Sequence, residues 1–302
     1  LTPVGGLCAS GWHTCAMMMR MLVDGLLGEA ASLGSPGMDE VRWKRPLWPG
    51  DVLSVRYTVQ EKRVLGSRPD VGLAKVLVEL VDAKGEVPCT WQTNQLTRVR
   101  RPAAAPAAAN GSVAPRGDRK VALLDLWDAP AVARRPDPFF EDAVLGETIE
   151  LGSHTFGRDE IIEFARAFDP QPFHLDEEAA KTSLFGGLCA SGWQTAAHFI
   201  RLIVTSRAQI LAETAAKGAR LPVYGPSPGF RDLRWPKPVF VGDTVTYRIR
   251  LVEKIDMKSR PKRGLLASAV QGRNQKGEIV FAVNSLILAD RRQPLEVSEP
   301  AV

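Results

Sequence analysis

Two periodicities divide the chain. Apolar and polar positions alternate through "VLSVRYTVQEKR" (52–63), "GLAKVLVELVDA" (72–83) and "CTWQTNQLTRVR" (89–100). They alternate again through "TVTYRIRLVEKI" (244–255), "GLLASAVQGR" (264–273) and "IVFAVNSLILA" (279–289). Such runs, rich in β-branched residues, predict half-buried strands, and "AKGE" (83–86) and "QKGE" (275–278) predict antiparallel turns between the last two of each set. Helical spacing marks "DEIIEFARAFD" (159–169), where Ile161, Ile162, Ala165 and Phe168 share a face and Asp159 and Glu160 suit a helix N-terminus. "WHTCAMMMRMLVDGLL" (12–27) and "WQTAAHFIRLIV" (193–204) are apolar almost all round, which predicts helices enclosed by other structure.

The order of elements repeats, and so does the sequence. "GGLCASGW" at 5–12 recurs at 186–193, with Thr14 matching Thr195 and Arg20 matching Arg201. "SPGMDEVRWKRPLWPGD" (35–51) then aligns with "SPGFRDLRWPKPVFVGD" (227–243), and "KGE" at 84–86 with "KGE" at 276–278. The offset grows on the way, so the second copy carries an insertion within "TSRAQILAETAAKGARLPVYGP" (205–226), which reads as a helical flap. Between the copies, "RPAAAPAAANGSVAPRGDRK" (101–120) has the Pro, Ala and Gly content of a surface linker. The predicted organisation is a first half over 1–101, a linker over 102–137, a second half over 138–292 and a tail over 293–302. Each half is expected to be an α+β unit, a curved antiparallel sheet wrapped around a central helix.

The halves differ at their openings. The second has about 45 residues ahead of its octapeptide, and the first has four. The expectation is that apolar surface around Met17 to Leu22 stays uncovered in the first half. Either a homo-oligomer or further residues before Leu1 would then cover it.

Composition narrows the class. A 302-residue chain with 45% hydrophobic residues can bury a sizeable core. The net charge of +5 suits an anionic small molecule, and equally a solvated basic surface. No basic block interleaved with aromatics points to nucleic acid, and no apolar run reaches membrane-spanning length. The four cysteines lack CxxC spacing, so reduced, packed thiols and a cytoplasmic location are expected.

With this architecture, "FDPQPFH" (168–174), "FGGLCASGW" (185–193) and "RWPKPVFVGD" (234–243) resemble the MaoC-like dehydratase family, the R-specific 2-enoyl-CoA hydratases with a hotdog fold. The tandem arrangement resembles a double hotdog, the first half lacking the N-terminal segment. The family pattern Asp-x-Asn-Pro-x-His fits Asp169, Pro172 and His174, but Gln171 stands where Asn is usual. The longer side chain puts its orienting role in question. The resemblance implies reversible hydration of a 2-enoyl-CoA to a 3-hydroxyacyl-CoA, with Asp169 and His174 as the catalytic pair and the Gly192 backbone N–H as oxyanion donor. Coenzyme A is then part of the substrate, and no separate cofactor or metal is expected. The Asp and His occur once, so one site per chain is expected, with the first half supplying the opposing sheet and part of an acyl tunnel.

The residues support this chemistry in their own right. Hydrating an enoyl thioester needs a base for water, a proton donor to the α-carbon and a stabiliser for the enolate-like oxygen. Pro170 and Pro172 disfavour helix and predict an extended loop that points Asp169 and His174 at one water. Gly192 opens a helix, where N–H groups lack intrahelical partners, and glycine permits close approach. Substrate-binding candidates are Gln171, Phe173, Gly187, Ser191, Trp193, Arg234 and Lys237, with Lys44 and Arg45 as repeat counterparts of the cations. Several of these residues also have plainer readings. Gly11 and Gly192 could be small only for packing, and Met17, Met18, Met19 and Met21 could fill a core instead of an acyl pocket. His13 and His198 lie on apolar helices as packed residues, His154 lies on a strand, and no second His or Cys stands at ligand spacing from His174. A hotdog acyl-CoA thioesterase and a non-catalytic acyl-CoA-binding protein are the competing functions.

Overall fold

A computed structural model describes residues 4–100, 124–218 and 221–296. In the first half, α1 (Gly11–Leu22) passes into a π-helical turn (Val23–Leu27), followed by β1 (Ser32–Gly34), β2 (Gly37–Trp43), β3 (Leu53–Leu65), β4 (Arg68–Asp82) and β5 (Cys89–Arg98). The second half runs β6 (Thr148–Thr155), α2 (Arg158–Phe168), α3 (Pro172–Leu175), α4 (Glu177–Lys181) and α5 (Gly192–Ala215). Four strands complete it: β7 (Gly229–Arg234), β8 (Thr244–Asp256), β9 (Arg263–Asn274) and β10 (Ile279–Asp290). The six alternating runs all form strands, five within one or two residues of their predicted bounds, while β4 begins four residues earlier, at Arg68. Gly85 and Gly277 take positive φ in the two "KGE" turns.

The strands form one antiparallel sheet in the order β3-β4-β5-β2-β7-β10-β9-β8-β6, with β1 beside β5. The halves therefore join through β2 and β7, which are repeat equivalents. Gly37 pairs with Arg234 and Arg42 with Gly229, so the register has the symmetry of a twofold axis between the copies. Glycine is required at both ends of this seam. A Cβ on Gly37 would stand 2.1 Å from the Leu233 carbonyl oxygen, and one on Gly229 2.0 Å from that of Val41. "RWPKP" (234–238) reads as a strand, but β7 stops at Arg234, and neither the rest of β7 nor β2 is signalled in the sequence; both are short and proline-flanked.

The main hydrophobic core spans both halves, with Cys15, Met18, Val78 and Trp91 from the first and Phe199, Phe230, Tyr247 and Phe281 from the second; a smaller cluster in the second half gathers Phe140, Ala143, Leu266 and Ala289. Trp12 stacks on Phe230 at 4.5 Å and Trp91 on Trp193 at 5.3 Å. Each fully buried large apolar side chain contributes roughly 1.5–3 kcal/mol, so separating the halves would expose too much to be tolerated.

Three expectations are corrected. The flap predicted over 205–226 begins as an unbroken continuation of α5 to Ala215. The linker predicted over 102–137 is packed structure in the part that is described from Leu124 on: Leu126 is fully buried, Val132 bridges to Ile149, and Asp125 and Asp128 pair with Arg273 and Arg250. Residues 102–123 of that linker, Arg101 before it, and 297–302 of the tail lie outside the described residues. Nor is the apolar face of α1 left open. Met18 and Leu22 are buried in the core, and α2 of the second half lies along another face of α1, with the His13 ring edge-on to Phe168 and Arg20 Nη1 donating to the Arg166 carbonyl at 2.7 Å; Met17 stays 37% exposed.

Candidate active site

Asp169 caps the C-terminus of α2, its N–H still donating to the Ala165 carbonyl at 2.9 Å. The chain does not stay extended beyond it. Pro172 takes the first position of α3, where its fixed φ suits a helix and its missing N–H costs nothing, so the segment closes into one helical turn. That turn brings His174 back beside Asp169, with Nε2 3.6 Å from Oδ2. Both residues are buried, at 3% and 5% exposure.

The carboxylate is fixed by two donors. Gln171 Nε2 donates to Oδ1 at 2.9 Å, and Ser191 Oγ donates to Oδ2 at 2.6 Å. Ser191 is also the N-cap of α5, accepting from the Trp193 N–H at 3.2 Å. The longer Gln171 side chain thus orients Asp169, while its Oε1 lies 3.4 Å from Ser32 Oγ in the first half. His174 Nδ1 lies 2.7 Å from the Cys189 carbonyl oxygen, which can only accept. Nδ1 therefore carries the proton, and in the neutral ring the Nε2 lone pair faces Asp169. Burial and then the Asp169 charge push the Cys189 thiol up to about 12, so it is no nucleophile at neutral pH.

Gly192 follows at the first position of α5, where its N–H finds no acceptor among the described residues. A Cβ there would stand 2.4 Å from the Trp235 ring, and a Cβ on Gly11 2.3 Å from Trp43. Packing therefore demands glycine in both copies, which explains why the octapeptide is duplicated. Only Gly192 also borders the cavity.

That cavity holds about 350 Å³ between the halves. Asp169, Gln171, Phe173, His174 and Trp193 line its second-half side, and Met19, Leu22, Leu27, Leu33, Tyr57 and Leu96 its first-half side. The methionine run divides by helical angle: Met17 is partly exposed, Met18 belongs to the core, and Met19 reaches the cavity. Lys237 is at the cavity wall but is ion-paired with Glu278. Arg234 lies away from it, donating to the Met38 carbonyl at 2.7 Å and pairing with Asp39 at 3.3 Å across the seam. β7 ends at Arg234, so Lys237 is not a strand residue. Ser191 sits behind the cavity wall, and Gly187 packs near the Phe240 ring. Arg45 pairs with Asp51 and Asp82 on the first-half surface.

Sequence reasoning treated His154 and His198 separately, as strand and packing residues. Each lies where expected, but folding also stacks the two imidazoles beside Glu160. Three different elements supply these side chains, so no spacing in the sequence signals the meeting.

A family model described as a MaoC-like domain matches residues 141–271. A MaoC-like dehydratase from Rhodospirillum rubrum is 36% identical over 52% of this chain and 99% of its own, with a TM-score of 0.42. Across nearly the whole length, a MaoC domain protein from Chloroflexus aurantiacus superposes with a TM-score of 0.68 at 17% identity, covering 96% of this chain and 85% of its own. A Mycobacterium tuberculosis protein described as having a double hotdog fold gives 0.60 at 17% identity, covering 96% and 84%. The last two show the fold, an α+β double hotdog in which two sheets have joined along β2 and β7. Sequence identity along the full length of the Rhodospirillum protein, with the domain match in the same half, carries the assignment further: the chain belongs to the MaoC-like dehydratase family.

Proposed function

We propose that the chain reversibly hydrates a 2-enoyl-CoA thioester at one site in its second half. The observation that carries this reading is the buried Asp169–His174 pair and the Gly192 N–H, which has no acceptor among the described residues, at the wall of an apolar cavity. Oδ2 and Nε2, 3.6 Å apart, leave a position from which one water reaches both. The water oxygen bonds to C3 and one of its protons passes to the pair. A proton from the pair then reaches C2, so H and OH add across the double bond and both side chains end as they began. The Gly192 N–H and the positive end of α5 take the charge that develops on the thioester oxygen.

The acyl chain lies toward the first half, whose part is the apolar wall from Met19 to Leu96. Lys237 is the cation placed to meet a phosphate of coenzyme A at the cavity wall, exchanging Glu278 for it. Purified protein incubated with crotonyl-CoA tests the reading. Loss of enoyl absorbance with no free thiol is expected. Release of free thiol would instead indicate a thioesterase, and no reaction with crotonyl-CoA or longer 2-enoyl-CoAs would leave an acyl-CoA-binding protein.

A further inference from the structure

Outside the cavity, three donor side chains from three elements converge. His154 comes from β6, Glu160 from the first turn of α2 and His198 from the second turn of α5, and one donor atom of each lies within 4.8 Å of the other two. His154 Nε2 is 2.9 Å from Glu160 Oε1, and the two imidazole rings stack with centroids 3.5 Å apart. We propose that His154, Glu160 and His198 form a binding site for a divalent d-block cation, Zn²⁺ foremost, that pins together the two helices carrying the Asp169–Gly192 machinery.

The donor set has the right chemistry. Two imidazole nitrogens and one carboxylate are borderline ligands that suit Zn²⁺, Co²⁺ or Ni²⁺, whereas Mg²⁺ and Ca²⁺ want oxygen throughout. His154 and His198 each bring a ring nitrogen to the cluster. Glu160 Oε1 accepts from the Gly157 N–H at 3.0 Å, while Oε2 has no partner among the described residues. Its negative charge also offsets Arg201, which lies near enough to His198 to disfavour added positive charge. Ligands ~2.0–2.2 Å from a tetrahedral metal stand ~3.3–3.6 Å apart, so the widest separation must close by up to about 1 Å while the His154–Glu160 pair opens from 2.9 Å, the rings fanning out of their stack. His154 and Glu160 are 25% and 35% exposed, which leaves water as the fourth ligand. None of the three lines the cavity, so the cation's role is to hold structure, apart from the reaction.

The test uses the full chain, stripped with a chelator and titrated with Zn²⁺ by calorimetry and with Co²⁺ by visible absorption. One equivalent, a tetrahedral Co²⁺ band and a higher melting temperature with Zn²⁺ are expected. Glu160→Gln keeps an acceptor for the Gly157 N–H but loses the anionic ligand, and His154→Gln loses an imidazole. Since even outer-shell changes cost ~10–100-fold in metal affinity, each variant should bind at least ~10-fold more weakly. No saturable binding by the wild-type chain, or unchanged affinity in both variants, would overturn the proposal.

Discussion

At the residue scale, Ser191 links stability to chemistry. Its hydroxyl donates to Asp169 Oδ2 and accepts from the Trp193 N–H, so one side chain both caps α5 and holds the carboxylate in place. Ser191→Ala should lower stability by ~1 kcal/mol through the lost cap. It should also lower kcat, with KM little changed, because the carboxylate is held by Gln171 alone. Thermal melts and steady-state kinetics separate the two effects; unchanged kcat would mean that the Ser191 bond to Asp169 has no catalytic consequence. That Asp169 and His174 would come together was legible in the sequence, since they lie five residues apart around two prolines. What holds the pair was not legible. Ser191 and Cys189 reach it from the far side of a loop, and Gln171, in doubt because of its length, uses that length to touch both Asp169 and the first half.

At the element scale, the two central helices begin with the same physical requirement. A tryptophan ring, Trp43 at the end of β2 or Trp235 just beyond β7, lies on the first glycine of α1 or α5, and any Cβ would overlap it. Gly11→Ala and Gly192→Ala should therefore both destabilise, by ~1–3 kcal/mol as overpacked sites do. Only Gly192→Ala should also reduce turnover per folded molecule, because only its N–H borders the cavity. Equal loss of turnover in the two variants would show that the glycine acts through packing alone. Strands such as β5 and β8, and α2, could be read from periodicity because each has a wetter and a drier face; β9, buried on both faces over most of its length, was legible from its apolar run and the turn that follows it. The seam strands could not, since β2 and β7 are short and carry adjacent charged residues, Asp39 and Glu40 in one and Arg231 and Asp232 in the other, that break the alternation at the halves' junction. The turn at Pro172 was misread for a different reason. A proline that opposes helix in the interior favours it at the first position, and nothing local in the sequence says which position it occupies.

For the molecule as a whole, duplication has produced a division of labour. The second half holds Asp169, His174 and Gly192, while the first presents Leu22, Leu27, Leu33 and Leu96 to the same cavity. Filling that wall should change substrate range more than chemistry: Leu33→Trp is expected to raise KM for an eight-carbon 2-enoyl-CoA several-fold more than for crotonyl-CoA. An equal effect on both would place the acyl chain elsewhere. The division explains why a motif present once serves a fold built twice. It rests on one claim, that the buried pair performs the hydration. The most direct measurement is the steady-state hydration of a 2-enoyl-CoA by Asp169→Asn and His174→Ala, with circular dichroism confirming that each variant is folded. The account predicts that each loses at least ~10² in kcat, as removal of a general acid or base does. A folded variant that hydrates at near the wild-type rate would contradict it.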